Sequence, residues 1–431
     1  MTTKKRFAAL LAAAAFVVSA CGPGASSSPS EEPSTSATPE ASPTEMAFPE
    51  GDFALTLWTK EGEADGSLQY VEALAEAYSV LRPNVTIEVV NKDVETLRED
   101  FQNTGLGGDA PELLWTVADH VGPFTAADLI LPLDDLIDRA RFVEAAANAV
   151  TAEDTLWGAP VSFGNQLMLY WNTDLGEAAP ADSDAWVAAA KAATEGDTWG
   201  IVFNQTEPFW LVPFLGGFGG SVFAEDGVTP TLNTDAMKGA LEFLYDLEFT
   251  DKVMPSEADY DVSDALFKEG KSAYIINGDW VLNAYSEALG DKVGVGPLPM
   301  ITGGEDPHPY IAGAFLMASK GVGDDPDMTT VVADFLDFAT ALEQQIDIVE
   351  TLKRLPGNAE AIADPIVTGD PLLAGAAEAA QKGVPQPTNL EMRCVWDAMK
   401  PGLVKVMGGD SGFDAIVDEM QLSAESCISN L

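Results

Sequence analysis

Residues 53–91, FALTLWTKEGEADGSLQYVEALAEAYSVLRPNVTIEVVN, contain the pattern from which the fold is predicted. FALTLWT and NVTIEVVN alternate apolar and polar side chains, which indicates strands. The stretch between them repeats apolar residues at helical spacing and stops at Pro83. A strand, a helix and a second strand in this order form a right-handed unit with parallel strands. The stretch therefore predicts a parallel sheet covered by helices.

Similar strand patterns recur at PELLW (111–115), WGIVFN (199–204) and SAYIIN (272–277), with amphipathic stretches such as MKGALEFLYDLEF (237–249) between them. The chain after its N-terminal region is longer than one hydrophobic core usually supports. We therefore expect an α/β protein of two lobes, each a mostly parallel sheet flanked by helices.

The N-terminal region has the composition of an export signal followed by a tether. Residues 1–20 carry a basic head, a short apolar run and small residues before Cys21, as secretory signal peptides do. VVSACG (17–22) resembles the lipobox of bacterial lipoproteins, in which Cys21 becomes the lipidated first residue; an ordinary signal peptide is the alternative. Residues 21–46 are rich in Ser, Pro, Thr and Glu, which predicts a disordered tether. The expected location is extracytoplasmic, on the outer face of the cell membrane.

The net charge limits the classes of ligand that the chain can bind. The formal net charge of −47 disfavours nucleic acid and other polyanions as ligands.

Outside the cell a pair of cysteines usually forms a disulfide. Cys394 and Cys427 lie in two predicted helices on either side of the turn GGDSG (408–412), so a helix hairpin brings them together. A Cys394–Cys427 disulfide is predicted.

Aromatic and polar residues follow four of the predicted strands. In open α/β sheets ligands bind beyond the carboxyl ends of the strands. Flat apolar rings beside carboxylates suit a carbohydrate, because sugar C–H faces pack on rings while hydroxyl groups need polar partners. The residues at these strand ends are Lys60, Glu61, Trp115, Asp119, His120, Glu207, Phe209, Trp210, Asp279 and Trp280.

Catalytic and metal-binding motifs have little support in the sequence. The two histidines, His120 and His308, lie far apart, and no Cys or His spacing is typical of a metal site. Neither a metal nor an organic cofactor is therefore predicted. A glycoside hydrolase needs two carboxylates placed across the scissile bond, and no pair stands out among 69 acidic residues.

Several stretches taken together resemble one protein family. They are LTLWTKEGE (55–63), APELLWTVAD (110–119), PVSFGNQLMLYWNTDL (160–175), NQTEPFW (204–210), ALFKEGKSAYIINGDW (265–280), LPGNAEA (355–361) and MRCVWDAMKPGL (392–403). In this order they resemble the extracellular solute-binding proteins of sugar ABC importers, and most closely the maltose/maltodextrin-binding group. The resemblance runs from about residue 53 to residue 409.

The resemblance implies two lobes that close around a sugar. The first lobe is expected to comprise 47–164 plus 312–365, and the second 165–311 plus 366–431. Crossover segments are expected near 163–168, 310–315 and 363–372. Glycines in VSFGNQ and YIAGAF suit a hinge that must absorb backbone change.

Site residues are carried over by position. The family's first loop offers a lysine and an acid. In this sequence that place is taken by Lys60 and Glu61, or by Asp65 further on. Trp115 is similar to a stacking tryptophan and Asp119 to an acid that binds sugar hydroxyls, with one extra residue between them. The second lobe resembles the family at Glu207, which precedes a proline–aromatic pair containing Phe209, and at three stacking positions, Trp210, Trp280 and Trp396.

Four positions depart from the family pattern. Asn165 stands where close relatives have glutamate, and Asp397 where some have tyrosine. Lys400 stands where some have arginine, and His120 replaces another basic position. Asn165, His120 and Lys400 are still counted among the expected ligand contacts, but these changes leave the identity of the sugar open.

The expected function is capture of a maltose- or maltodextrin-type oligosaccharide in the cleft and its delivery to ABC permease subunits. The chain is expected to be a monomer and not an enzyme. Trehalose, sucrose or another glucoside is the alternative ligand. A glycoside hydrolase, or a surface adhesin with a protein partner, is the alternative from another class.

Overall fold

In this computed structural model the strand–helix–strand unit begins the larger of the two main sheets. The structure describes residues 48–63, 66–107, 110–176, 179–256 and 258–431. The predicted signal peptide, Cys21, the tether and Asp65 lie outside the described residues. Both sheets belong to one compact unit, Phe48–Leu431.

The described strands run from the N-terminal part of this unit to the loop before its last helices. They are β1 (Phe53–Thr59), β2 (Val85–Asn91), β3 (Leu113–Val117), β4 (Thr151–Ala152), β5 (Thr155–Leu156), β6 (Ala159–Pro160), β7 (Leu167–Asn172), β8 (Trp199–Val202), β9 (Ser272–Gly278), β10 (Val293–Gly296), β11 (Tyr310–Ile311), β12 (Ala314–Ala318) and β13 (Val384–Pro385).

Helices connect the strands and cover the sheets. They are α1 (Ser67–Leu81), α2 (Val94–Gly107), α3 (Val121–Ala126), α4 (Glu144–Ala149), α5 (Ser183–Ala193), α6 (Val212–Gly217), α7 (Asp235–Tyr245), α8 (Tyr260–Lys268), α9 (Leu282–Leu289), α10 (Pro326–Ala339), α11 (Leu342–Leu352), α12 (Pro365–Thr368), α13 (Pro371–Ala380), α14 (Glu391–Met407) and α15 (Phe413–Ile428). None of these helices is long and apolar enough to cross a membrane, within the part of the chain that the structure describes.

Each sheet is the centre of one lobe. The first lobe contains the order β2-β1-β3-β12-β6 and the second contains β10-β7-β9-β8. The fold is therefore the two-lobe α/β architecture that the sequence predicts. The expectation of mostly parallel sheets is wrong in detail: β1 is parallel to β2 and β3, and β8 to β9, but the other pairs within these two sheets are antiparallel. The antiparallel pairs involve strands next to the crossings between the lobes, which enter their sheet from the opposite direction.

Within the described residues, the chain crosses between the two main sheets three times. It leaves the first sheet after β6, returns to it before β12, and crosses again between α11 and α13. Gly164 has φ 138°, Asn165 φ 58° and Gly313 φ 151°, and the Ala312 N–H donates to the Gly164 carbonyl at 2.8 Å. The first two crossings therefore lie side by side with unusual backbone angles. Hinge motion at these positions stays a prediction.

The last two helices form a covalently closed hairpin. Cys394 on α14 and Cys427 on α15 form a disulfide with a Cα–Cα distance of 5.5 Å. This confirms the predicted pairing. Apolar residues of both helices, including Val395 and Met420, belong to the core of the second lobe. The disulfide therefore fixes α14 within the second lobe.

Candidate functional site

In the first lobe, the ends of β1 and β3 bring two site loops together. The strands are parallel, with Thr59 opposite Trp115, and the Lys60 N–H donates to the Trp115 carbonyl at 3.2 Å. The loop that begins at Lys60 and the turn that contains Asp119 therefore leave the sheet at the same edge. Lys60 is half-buried, and its Nζ lies 3.0 Å from Glu61 Oε1.

Glu61 is not positioned to contact a ligand. It is 2% exposed and forms two hydrogen bonds with Arg354, at 2.9 and 2.8 Å, and a third with Trp115 Nε1 at 2.9 Å. Burial raises the pKa of Glu61, but the charges and hydrogen bonds of Arg354 and Lys60 outweigh it and hold this pKa well below its ordinary value. The structure thus corrects the expectation for Glu61: its carboxylate anchors the first loop to Arg354.

Trp115 and His120 also differ from the expectation, because both side chains are only 1% exposed. Trp115 packs in the core of the first lobe, edge-on to Tyr70, and presents no ring face for stacking. His120 Nδ1 lies 2.7 Å from the Thr116 hydroxyl, and its ring packs against Phe124. Burial lowers the pKa of His120 to about 3, and nearby cations add to the shift. Both residues support the turn that holds Asp119.

Asp119 lies in the cleft between the two lobes. It is half-buried, and its Oδ2 accepts a hydrogen bond from Trp396 Nε1 of the second lobe at 3.3 Å. Burial raises the pKa of Asp119 to about 6, and the negative charge of Glu95 acts in the same direction. A carboxyl group in this position can accept hydrogen bonds from hydroxyl groups and, when protonated, can donate one to them.

In the second lobe, Phe209 lies at the centre of a cluster of half-buried rings. It follows β8, which is parallel to β9 and brings it close to the residues after that strand. Its ring centroid lies 6.4 Å from that of Trp280 and 6.3 Å from that of Trp396. The Trp280 indole donates to the Tyr260 hydroxyl at 2.9 Å, which orients the ring.

Trp210, the expected stacking residue beside Phe209, is a core residue instead. It is 6% exposed, and its Nε1 donates to the carbonyl of Ile276 on β9 at 3.0 Å. Residues Pro208–Trp210 form one turn of 3-10 helix, so neighbouring side chains point in different directions. As a result Phe209 faces the cleft while Trp210 faces the sheet, and the structure corrects the expectation for Trp210.

Glu207 and Lys400 form an exposed ion pair beside the rings. Lys400 lies one turn after Trp396 on α14, and its Nζ contacts Glu207 Oε1 at 2.5 Å. The two side chains are 40% and 53% exposed. Both sequence-predicted polar groups therefore lie together where hydroxyl groups can reach them.

Asn165 belongs to the first crossing between the lobes. It is half-buried, and its backbone donates a hydrogen bond to the carboxylate of Asp279, which lies at the end of β9 and is 3% exposed. Burial raises the pKa of Asp279, and the charge of Arg354 opposes this shift. Asp279 therefore connects the first crossing with the second sheet.

Sequence reasoning missed Arg354, Glu95, Arg393 and Tyr310. Arg354 is 2% exposed and holds Glu61, while Tyr310 packs edge-on to the Trp396 ring at 6.0 Å. Arg393 Nη1 donates to Glu95 Oε2 across the cleft at 2.6 Å. A signal was present for Arg393, because it lies one helical turn before Trp396 in MRCVWDAMKPGL.

The lobes also approach each other at Gly122 in the first turn of α3. A Cβ atom at this position would lie 2.2 Å from the Thr388 carbonyl oxygen and 2.8 Å from the Asn389 carbonyl carbon. Thr388 and Asn389 precede α14 of the second lobe. Only glycine allows this contact.

The arrangement places aromatic rings and polar side chains together in one cleft. The half-buried rings are Phe209, Trp280 and Trp396, and the polar groups beside them are Asp119, Glu207 and Lys400. Among the described residues, no group of three or more His, Cys, Asp or Glu side chains could hold a metal ion. This chemistry suits a neutral, hydroxyl-rich ligand.

Comparison with known proteins gives a consistent result. Residues 69–375 match the family of bacterial extracellular solute-binding proteins. The maltose/maltodextrin-binding domain MalE from Bdellovibrio bacteriovorus, solved with maltotriose, is 31% identical, and the match covers 87% of this chain and 100% of that chain with a TM-score of 0.82. The maltotriose-binding protein of Thermus thermophilus, at 24% identity and a TM-score of 0.80, has the same fold over 87% of this chain and 100% of its own.

Among curated relatives, the galactooligosaccharide-binding protein of Bacillus subtilis (strain 168) is 24% identical over 388 residues, which cover 87% of this chain and 89% of that protein. The maltodextrin-binding protein MdxE of the same organism is 26% identical over 341 residues, with 76% of this chain and 80% of that protein covered. The chain is thus similar over most of its length to proteins named for binding different oligosaccharides.

Proposed function

Because the chain belongs to the family of bacterial extracellular solute-binding proteins, we propose that it binds an oligosaccharide between its lobes and delivers it to the permease of an ABC importer. The observation that carries this proposal is the ring cluster of Phe209, Trp280 and Trp396 beside Asp119. The relative solved with maltotriose supports a maltodextrin-type ligand. A galacto-oligosaccharide is the second candidate, favoured by the name of the Bacillus subtilis relative.

In this proposal the rings and the polar groups have separate tasks. Phe209, Trp280 and Trp396 pack against the C–H faces of sugar units, and Asp119 bonds a hydroxyl from the first lobe. Glu207 and Lys400 bond hydroxyls from the second lobe. A ligand that contacts both lobes binds the closed form more tightly than the open form. It therefore shifts the equilibrium toward the closed form, by an amount set by this difference in affinity. The protein makes and breaks no covalent bond in this cycle.

The test is a binding screen with the purified protein. Maltose, maltotriose, a galacto-oligosaccharide, trehalose, sucrose and free amino acids are titrated while tryptophan fluorescence and the melting temperature are followed. A true ligand at 100 times its dissociation constant stabilises the folded state by about 2.7 kcal/mol. Response to no oligosaccharide in the screen contradicts the proposed function.

Trp280→Ala tests whether the ring cluster is the binding surface. We expect this variant to lose sugar affinity at least tenfold while it remains folded, because a stacking face is removed. Phe249→Ala is the matched control, since Phe249 is also a half-buried ring of the second lobe but packs on Tyr245 outside the cluster. Unchanged affinity in Trp280→Ala assigns this ring to the core instead.

The proposal includes anchoring by a lipid on Cys21. A relative from Streptococcus pneumoniae supports it, because that protein is named a maltooligosaccharide ABC transporter solute-binding lipoprotein. Cells that express the chain with Cys21→Ser should release the protein into the soluble fraction, and the wild-type chain should incorporate labelled fatty acid. Equal membrane retention of both forms contradicts lipidation at this cysteine.

A further inference from the structure

An ion pair between Glu95 and Arg393 joins the two lobes across the cleft. Glu95 lies in the first turn of α2 in the first lobe, and Arg393 lies in the first turn of α14 in the second. Arg393 Nη1 contacts Glu95 Oε2 at 2.6 Å, and the two side chains are 27% and 46% exposed. The pair therefore connects groups that lie on opposite sides of the cleft and are only partly screened by water.

Both partners are held in place from within their own lobes. Arg98 Nε lies 3.2 Å from the same Glu95 oxygen, and it follows Glu95 by one turn of α2. Asp397 Oδ1 accepts a hydrogen bond from Arg393 Nη2 at 2.8 Å. Because each charged group is oriented before the lobes meet, less side-chain entropy is lost when the pair forms.

The pair also lies beside the ligand-binding rings. Trp396 follows Arg393 by one helical turn and donates to Asp119 of the first lobe, so one helix face makes two bonds across the cleft. In a chain with 69 acidic residues and 22 basic ones, Arg393 places a positive charge between carboxylates of both lobes. It thus offsets the repulsion that closure produces between Glu95 and Asp397.

We propose that Glu95 and Arg393 form a latch between the lobes that sets the fraction of closed molecules and thereby the affinity for the ligand. This inference rests on the proposed function, in which the closed form binds the sugar. The affinity of a ligand falls in proportion to the population of the form that binds it. Glu95 and Arg393 are therefore positioning residues, which act through the closure equilibrium and need not touch the sugar.

The test combines ligand-independent and ligand-dependent measurements on Glu95→Gln, Arg393→Gln and the double variant. Small-angle X-ray scattering without sugar should give a larger radius of gyration for all three than for the wild type. With sugar, each single variant should raise the dissociation constant about two- to fivefold, as expected for a partly exposed ion pair. The double variant should be no weaker than the weaker single variant, since both substitutions remove the same bond.

Two control variants match the substitutions in charge. Glu99→Gln changes an acid of α2 that pairs with Arg98 within the first lobe, and Lys405→Gln changes a cation of α14 that pairs with Glu419 within the second. Both should behave as the wild type does in scattering and in binding.

Independent effects of the two single variants, multiplied in the double variant, overturn the latch. An unchanged radius of gyration in Glu95→Gln and Arg393→Gln overturns it as well. If no oligosaccharide binds to the wild type, the proposed function fails, but the scattering comparison still decides whether the latch exists.

Discussion

The disulfide between α14 and α15 allows a quantitative prediction for stability. The bond joins residues 33 positions apart, so in the denatured state it closes a loop of that length. Loop closure of this size removes an entropy of about 12.5 cal/mol/K from the denatured chain, which corresponds to about 3.7 kcal/mol at 25 °C. The double variant Cys394→Ala/Cys427→Ala should therefore lower the free energy of unfolding by about 3–4 kcal/mol. Urea titration followed by tryptophan fluorescence measures this difference.

The control separates the bond from the side chains. All proteins carry Cys21→Ser, so that only one pair of thiols is present. A reductant should bring the protein with Cys394 and Cys427 down to the stability of the double variant and leave the double variant unchanged. A loss below about 1 kcal/mol refutes the loop-closure reasoning and indicates a denatured state in which the two helices stay together.

Three further predictions concern ionisable side chains. Arg354→Met should lower the free energy of unfolding, measured in urea, by about 3–5 kcal/mol, because the buried Glu61 carboxylate loses two hydrogen bonds and the charge of Arg354. Glu61→Gln/Arg354→Met should recover part of this loss. Because the pKa of Asp119 is raised to about 6, its contribution to stability is present below about pH 4 and is lost as the pH rises to about 6. The melting temperature of Asp119→Asn minus that of the wild type should therefore be larger at pH 7.5 than at pH 4.5. The exposed Glu207→Gln is the control, and an equal gain there contradicts the reasoning. Because the pKa of His120 is lowered to about 3, its ring signals in NMR should not shift between pH 8 and pH 5, and a shift centred near pH 6.5 shows that the ring is accessible to water.

The fold was predictable because periodicity survives in the sequence. β1, α1 and β2 match the stretches of residues 53–91 whose apolar spacing indicates them. Strand direction was not predictable in the same way, since it depends on which strands become neighbours, and β7 pairs with β9 from a distant part of the chain. The second sheet therefore contains more antiparallel pairs than the sequence suggested.

The site was predictable in its location more than in its contacts. Strand ends indicated Asp119, Phe209 and Trp280, which the structure places near or within the cleft. Sequence alone could not separate Phe209 from Trp210, because one residue along a tight turn changes which side chain reaches the cleft. Pairings such as Glu61 with Arg354 join residues 293 positions apart, and no local pattern encodes them.

The contact at Gly122 has a practical consequence. A methyl group there would clash with the backbone at Thr388. The Gly122→Ala variant would therefore be held in a more open form, although every ring and carboxylate of the site is retained. This variant would serve as a negative control in a fluorescence-based sugar sensor, because it keeps the tryptophans and the surface of the wild type but does not close.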